Sequence, residues 1–240
     1  MTLESRFFEF NGINLTQFTD RIKDSQNTSP GDMPILGSEQ RVFGQESQGL
    51  RTILWSGYIS NSDIYTRLRK ELFDDSEKII KLSHDRYITL KSVSAERDLF
   101  IKKSEDNKMT MVMVAVDTRE YSVTRSSIEQ TIIASPTTIG LESKGTAKTV
   151  PGWIIKAVGT IINPTISEGE DEMTWSGTLT AGKELSISRE GTTKVDGMDS
   201  NSIIGDVLKA GHGETQFIYS DDPNSSHNCT VKAVWNDAYY

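Results

Sequence analysis

Apolar and polar positions along this chain mostly alternate with a period of two, which predicts strands; only one stretch repeats at the period of a helix. In Phe7–Thr16 (FFEFNGINLT), two arms bearing apolar residues flank Asn11-Gly12. Asn-Gly is the favoured pair for a two-residue type I′ turn, where both residues need positive φ, so a hairpin is predicted. Arg51–Ile59 (RTILWSGYI) reads as a strand with Trp55 and Gly57 at its centre. The period then changes. In Ser60–Phe73, Ile64, Leu68 and Leu72 recur every four residues, Asn61 or Ser62 can cap the start, and Asp63 favours the helix dipole. That spacing predicts a helix. Lys78–Leu82 and Arg86–Val93 follow as two strands across His84-Asp85, and Ser94–Asn107 reads as a polar stretch around a short apolar piece, Leu99-Phe100-Ile101.

The run Lys108–Ser122 (KMTMVMVAVDTREYS) has apolar residues on both faces: Met109, Met111, Met113 and Ala115 on one, Val112, Val114 and Val116 on the other. A strand covered on one face alternates apolar with polar, so this one is expected to be buried twice, or buried once and lodged in a subunit contact. It closes a first unit, residues 1–125. Within that unit, Asp20–Gln48 is rich in Ser, Asn, Gly, Pro and charge, with one apolar patch at Met33–Leu36. It is expected to be a long loop, either a surface loop or an arm that embraces a neighbouring subunit.

The remainder, residues 126–240, opens with a handover, Ser126–Val150, that holds one apolar run, Ile128–Ala134. Short strand-like runs then recur between turn residues: Trp153–Ile162, Met173–Leu179, Glu184–Ser188, Gln216–Tyr219 and Cys229–Trp235. This spacing predicts an antiparallel sandwich or barrel. The chain as a whole is therefore expected to be mainly β with one helix, in two units.

Charge changes the picture in one respect. The net charge of −8 is uneven: residues 1–125 hold 18 Lys+Arg against 19 Asp+Glu, and residues 126–240 hold 8 against 15. Such a balance argues against wrapping nucleic acid, whose affinity depends on neutralising phosphates, and suits a surface that nucleic acid passes without sticking. No apolar run approaches the ~20 residues of a membrane span. The opening MTLESRFFEF lacks the charged-then-apolar pattern of a signal peptide, and the one cysteine, Cys229, has no internal disulfide partner. Synthesis in a host cytoplasm is expected.

No catalytic constellation emerges. His84, His212 and His227 stand at no metal-ligand spacing and read as loop residues; Cys229 reads as a small buried hydrophobe in the alternating strand NCTVKAVW. Gly140–Thr146 (GLESKGT) lacks the lysine of a phosphate loop, and neither Glu168–Glu172 nor Asp221-Asp222 follows a calcium-loop spacing. Paired carboxylates of a glycosidase cannot be picked out from turns rich in acid. Trp153, Trp175 and Trp235 are either core residues or sugar-stacking platforms, so a carbohydrate-binding protein is a second reading. No cofactor and no metal is expected.

Laid end to end, FNGI (Phe10–Ile13), SGYISNSDIYTRLRKEL, HDRYITLKSV and VDTREYS (Val116–Ser122) in the first half, and PGWIIKAVGTIINPTI, WSGTLTAGKELSIS and LKAGHGETQFIY (Leu208–Tyr219) in the second, resemble the distal tail protein (Dit) family of long-tailed, siphovirus-type bacteriophages. The resemblance is one of pattern and order. Family members commonly have an Asp-Pro-Phe-like handover, where this chain has Asp117-Thr118-Arg119. It implies a non-catalytic virion protein of the tail tip. Its N-terminal domain would be a tail-tube-like β-sandwich or barrel with a helix, forming a hexameric ring; its C-terminal domain would be a galectin-like antiparallel β-sandwich. The ring would join the tail tube to the tail-associated or hub protein and baseplate, with DNA passing through its lumen, and the second domain would carry receptor-binding or baseplate proteins. Under this reading Met109, Met111, Met113, Leu68, Leu72 and the arm from Asp20 to Gln48 are the expected subunit contacts.

Overall fold

The computed structural model describes residues 7–26, 51–98, 107–115 and 117–240. The chain divides into two compact units, Met1–Glu120 and Tyr121–Tyr240. The division falls inside a strand, five residues before the boundary expected from the sequence.

The first unit begins with β1 (Glu9–Phe10) and β2 (Ile13–Asn14), joined by Asn11 at φ 43° and Gly12 at φ 75°, the type I′ hairpin that the Asn-Gly pair predicts. The turn is also an anchor. The Asn11 side chain donates to Glu71 Oε2 at 3.0 Å and accepts from the Ile79 amide at 2.8 Å. After β3 (Thr19–Gln26) and β4 (Arg51–Ile59) comes α1 (Ser62–Phe73). Asn61 caps it, its Oδ1 accepting from the amides of Asp63 at 2.9 Å and Ile64 at 3.1 Å. Three further strands, β5 (Lys78–Lys81), β6 (Arg86–Asp98) and β7 (Asn107–Ala115), complete the unit.

These strands pair antiparallel in the order β2–β1–β5–β6–β7–β4–β3. The long β6 pairs with β5 through its first half and with β7 through its second, and the register shifts between Leu90 and Ser92. A bulge there bends the strand and lets one sheet turn over the core. That core gathers Phe8, Phe10, Leu15, Ile53, Trp55, Leu68, Ile80, Ile88, Met111 and Met113.

Two expectations need correction. The first seven residues of the expected arm, Asp20–Gln26, are strand: β3 pairs with β4, and Ile22 stands opposite Trp55. Its polar sequence reflects an edge strand with Ile22 as the apolar residue turned inward. Residues 27–50, with Gln48 and Met33–Leu36, lie outside the described residues, as does Leu99-Phe100-Ile101. Ser94–Asp98, read as part of a polar stretch, continues β6.

The chain enters the second unit through β8 (Glu120–Ile132) and continues with β9 (Thr137–Ser143) and β10 (Gly152–Ala157). The short strands β11 (Ile161–Ile162), β12 (Thr165–Glu168), β13 (Asp171–Trp175) and β14 (Thr178–Leu179) come next. Then follow β15 (Glu184–Ile187), β16 (Thr193–Val195), β17 (Met198–Asp199), β18 (Ile203–Gly205), β19 (Gly213–Ser220) and β20 (Cys229–Tyr239). Within this unit one sheet runs β17–β16–β15–β10–β20–β8, the second runs β18–β13–β12–β19–β9, and β11 pairs with β14. The stretch read as a handover, Ser126–Val150, thus holds the second half of β8 and all of β9.

Inward residues of both sheets share one core: Trp153, Ile155, Leu185, Val231 and Ala233 from the first, Ile139, Leu141, Met173, Phe217 and Tyr219 from the second. Trp153 meets Phe217 edge to face, with ring centroids 5.1 Å apart and 76° between planes. This is a sandwich of two antiparallel sheets. The whole chain is mainly β, with one α-helix among the described residues.

Trp-Ser-Gly occurs once in each unit, and both copies are used alike. A Cβ on Gly57 would stand 2.1 Å from the Phe18 carbonyl oxygen and 2.5 Å from the Trp55 ring; one on Gly177 would stand 2.5 Å from the Trp175 ring. Each indole folds back over the glycine two residues on. Gly57→Ala is expected to destabilise the first unit by about 2–3 kcal/mol, because backbone as well as a packed ring must move. Gly177→Ala, whose three nearest neighbours are all atoms of the Trp175 ring, should cost about 1–2 kcal/mol. Urea unfolding of both variants checks the order.

Candidate interaction surface

Register decides which side of the first sheet faces out. Across β4 and β7, Ile53 stands opposite Met113, Trp55 opposite Met111 and Gly57 opposite Met109, so these share the inner face. Leu54 opposite Val112, and Thr52 opposite Val114, share the outer one. Met109, Met111, Met113 and Leu68 are buried in the unit's own core, and Leu72 packs against it half-buried. Their apolar spacing comes from folding of the single chain. The strand is therefore buried once, not twice, and a contact made through it uses the valine face.

That outer face has an apolar centre and a polar border. Val112 is 38% exposed and Tyr58 46%, while Leu54 and Val114 are half-buried. One row across four strands reads Lys23, Leu54, Val112, Ser94, and the next reads Ser25, Thr52, Val114, Ser92. Aliphatic residues in the middle with lysine and serine outside are the pattern of an interface with a dry centre and a wet rim. Asp20, an expected contact, is exposed on the edge strand β3.

The end of the first unit is held by an arginine that the sequence did not mark. Arg51, 2% exposed, donates through Nε to Asp24 Oδ1 at 3.1 Å and through Nη2 to Asp24 Oδ2 at 2.6 Å. Nη2 also meets Glu120 Oε1 at 2.7 Å, and Nη1 donates to the Thr118 carbonyl at 3.1 Å. Burial works against the charge, but the bonds to Asp24 and Glu120 outweigh it and hold the guanidinium pKa above its usual value. One side chain thereby ties β3 and β4 to the handover Asp117–Glu120. The bonds of Asp117 to the Arg119 amide at 2.7 Å and to Arg119 Nη2 at 2.8 Å shape the rest of that turn.

Of the two readings of the three tryptophans in the second unit, core or sugar platform, the burial fits the core. Trp153, Trp175 and Trp235 are 1%, 4% and 6% exposed, so none offers an open ring face. Trp235 Nε1 donates to the buried Asp237 at 3.1 Å. Two clefts open on this unit instead. One, of about 720 Å³, is lined by Ser126, Ser127, Ile128, Gly140, Glu142, Glu214 and Trp235, with Glu142 and Glu214 directly opposite in register. The other, of about 240 Å³, lies over β10, β15 and β16 and carries Arg125 and Lys194.

The three histidines make structural contacts: His84 stacks near Phe7 with centroids 4.0 Å apart, His212 Nδ1 lies 2.8 Å from the Gly145 carbonyl, and His227 Nδ1 lies 2.5 Å from Asp221 Oδ1. Among the described residues no three His, Cys, Asp or Glu side chains come together as a metal site. The Cys229 thiol is pushed up from 9.0 to about 11, first by burial and then by the nearby Asp221 charge. The folded state therefore keeps a proton that the unfolded chain releases, and stability is expected to fall as pH rises from 9.0 toward about 11. Iodoacetamide at pH near 8 should leave the native thiol unmodified and label it rapidly in urea, as mass spectrometry would show.

No protein-family model matches the sequence, and no curated protein matches it. Among solved structures the chain is similar to the SPP1 Dit (gp 19.1) protein, described as a paradigm of hub adsorption apparatus in Gram-positive-infecting phages. The two share 12% identity and a TM-score of 0.63, over 98% of this chain and 99% of that one. The likeness is one of fold, and it covers both units.

Proposed function

We propose that this chain is a structural protein of a phage tail tip, a ring adaptor that joins the tail tube to the hub or tail-associated protein and the baseplate. The observation that carries this reading is the likeness of fold to SPP1 Dit across nearly the full length of both chains. Support from the chain itself comes from the first unit, whose outer sheet face has an aliphatic centre of Leu54, Val112 and Val114 and a polar border. In the proposed arrangement this unit forms a hexameric ring, DNA passes through its lumen without specific binding, and the work of the protein is mechanical connection, not catalysis. The galectin-like second unit faces outward and carries receptor-binding proteins. The protein resides in the virion after synthesis in the host cytoplasm. Negative-stain imaging of the purified chain tests the reading: closed rings with a central opening support it, and a field of separate single chains at all concentrations overturns it.

A carbohydrate-binding function through stacked tryptophans is not retained, because Trp153, Trp175 and Trp235 are enclosed in the core.

A further inference from the structure

The larger cleft of the second unit opens between the edge strands of its two sheets: β9 is the last strand of one and, within this unit, β8 is the last of the other. We propose that the free edge of β9 takes up an extended basic peptide of a partner protein as an added strand, lysine or arginine alternating with aliphatic residues.

Backbone direction decides what this edge offers. The Thr138 carbonyl accepts from Gln130 Nε2 on β8 at 3.1 Å, so it points away from β19. The rest of the ladder agrees. The Thr165 and Thr174 hydroxyls meet at 2.8 Å, the closeness of a pair that exchanges no backbone bonds. Thr165 and Ser167 therefore turn to β19, Ile218 turns to β12, and Thr138, opposite Ile218, faces out. Alternate residues of such a strand turn both N–H and C=O to the same side, which gives Gly140 and Glu142 the same outward direction. Among the described residues none bonds these outward groups. Open backbone of this kind is a template for strand addition, and β9 carries neither the proline nor the lysine that commonly blunts such an edge.

The side chains select the occupant. The apolar lining of the cleft comes from Ile128 and Trp235, and Ile128 packs against the core. Inward side chains of an added strand would extend the row of Ile139 and Leu141 and rest on that lining. On the outer face Glu142 stands opposite Glu214. A Cβ on Gly140 would come within 3.2 Å of Glu214 Oε1, so the glycine leaves that carboxylate room over the edge strand. Neither glutamate has a cationic partner among the described residues. Like charges directly opposite are unfavourable, and a lysine on the added strand relieves them. A second copy of this chain is a poor occupant, since β9 set against β9 brings further carboxylate to the pair. The charge of the unit acts in the same sense: residues 121–240 hold fifteen Asp+Glu against nine Lys+Arg and draw a basic segment.

This inference goes beyond the ring reading and fails separately from it, since rings are read by imaging and the edge by peptide binding. Calorimetry on the full chain with the acetylated, amidated peptide TVKVKVT tests it. The peptide is expected to bind at submillimolar concentration. Two controls should each bind roughly tenfold more weakly. One is TVEVEVT, which keeps the strand and reverses the charge. The other is TVKVKVT methylated on two adjacent central backbone nitrogens, which keeps the charge and blocks pairing whichever side meets β9. Glu142→Lys with Glu214→Lys should reverse the preference, so that TVEVEVT binds more tightly than TVKVKVT. Both positions are exposed, and unchanged circular dichroism checks the fold. Absence of TVKVKVT binding overturns the proposal. So does equal binding of the methylated peptide, a result read on the unaltered chain, or a preference that the two lysines leave unchanged.

Discussion

Arg51→Met is expected to lower the stability of the first unit by about 3 kcal/mol, read as an earlier urea midpoint for that unit. Breaking a buried ion pair typically costs ~3–5 kcal/mol, because the partner charges remain without compensation. The low end applies here: Asp24 and Glu120 keep 30% and 21% of their side-chain surface in water and are partly rescued by it. Arg51→Lys keeps the charge but cannot bond Asp24 twice while also reaching Glu120 and the Thr118 carbonyl. It should fall between the methionine variant and the wild type. The two outcomes together separate the value of the charge from that of the fork. If both variants unfold at the wild-type midpoint, the arginine does not hold the handover as described.

The second large effect concerns assembly. Val112→Asp combined with Val114→Asp is expected to abolish ring formation and leave the fold intact. Val112 is already 38% exposed and Val114 half-buried, so a carboxylate at either site stays hydrated in the single chain. In a closed ring the same carboxylates would be desolvated without partners, at several kcal/mol. A penalty of about 3 kcal/mol weakens association by roughly two orders of magnitude. Met111→Asp makes the contrast. Met111 is fully buried opposite Trp55, so a charge there should unfold the first unit itself. Native mass and circular dichroism of the three proteins distinguish the face from the core.

Those two strand faces mark where the sequence was legible and where it was not. Local chemistry carried the hairpin at Asn11-Gly12 and the helix start at Asn61, because positive φ and orphan amides demand particular residues. The apolar richness of β7 was also visible. What pattern alone cannot assign is which apolar face is enclosed by the chain itself, because Met and Val are equally at home in a core and in a contact. Polar strands were harder. β3 carries Ile22 as its inward aliphatic residue, and the first part of β8, Glu120 to Arg125, is half-buried or exposed throughout, so neither shows the alternation by which a strand is found. The handover arginine was hidden for a different reason. Arg51 lies 27 residues from Asp24 and 69 from Glu120; the pairing of β3 with β4 brings Asp24 to it, and Glu120 comes from the start of β8. The tryptophans were legible as strand residues but not as buried ones, since a sugar platform and a sandwich core use the same side chain.

The mass of the full chain in solution, measured by light scattering across a concentration series, tests the central claim most directly. The account predicts that a ring mass of several chains dominates, and that Val112→Asp with Val114→Asp returns it to the mass of one chain. A single-chain mass for the wild type at every concentration, or a multimer that the two aspartates leave unchanged, would contradict assembly through the valine face of the first unit.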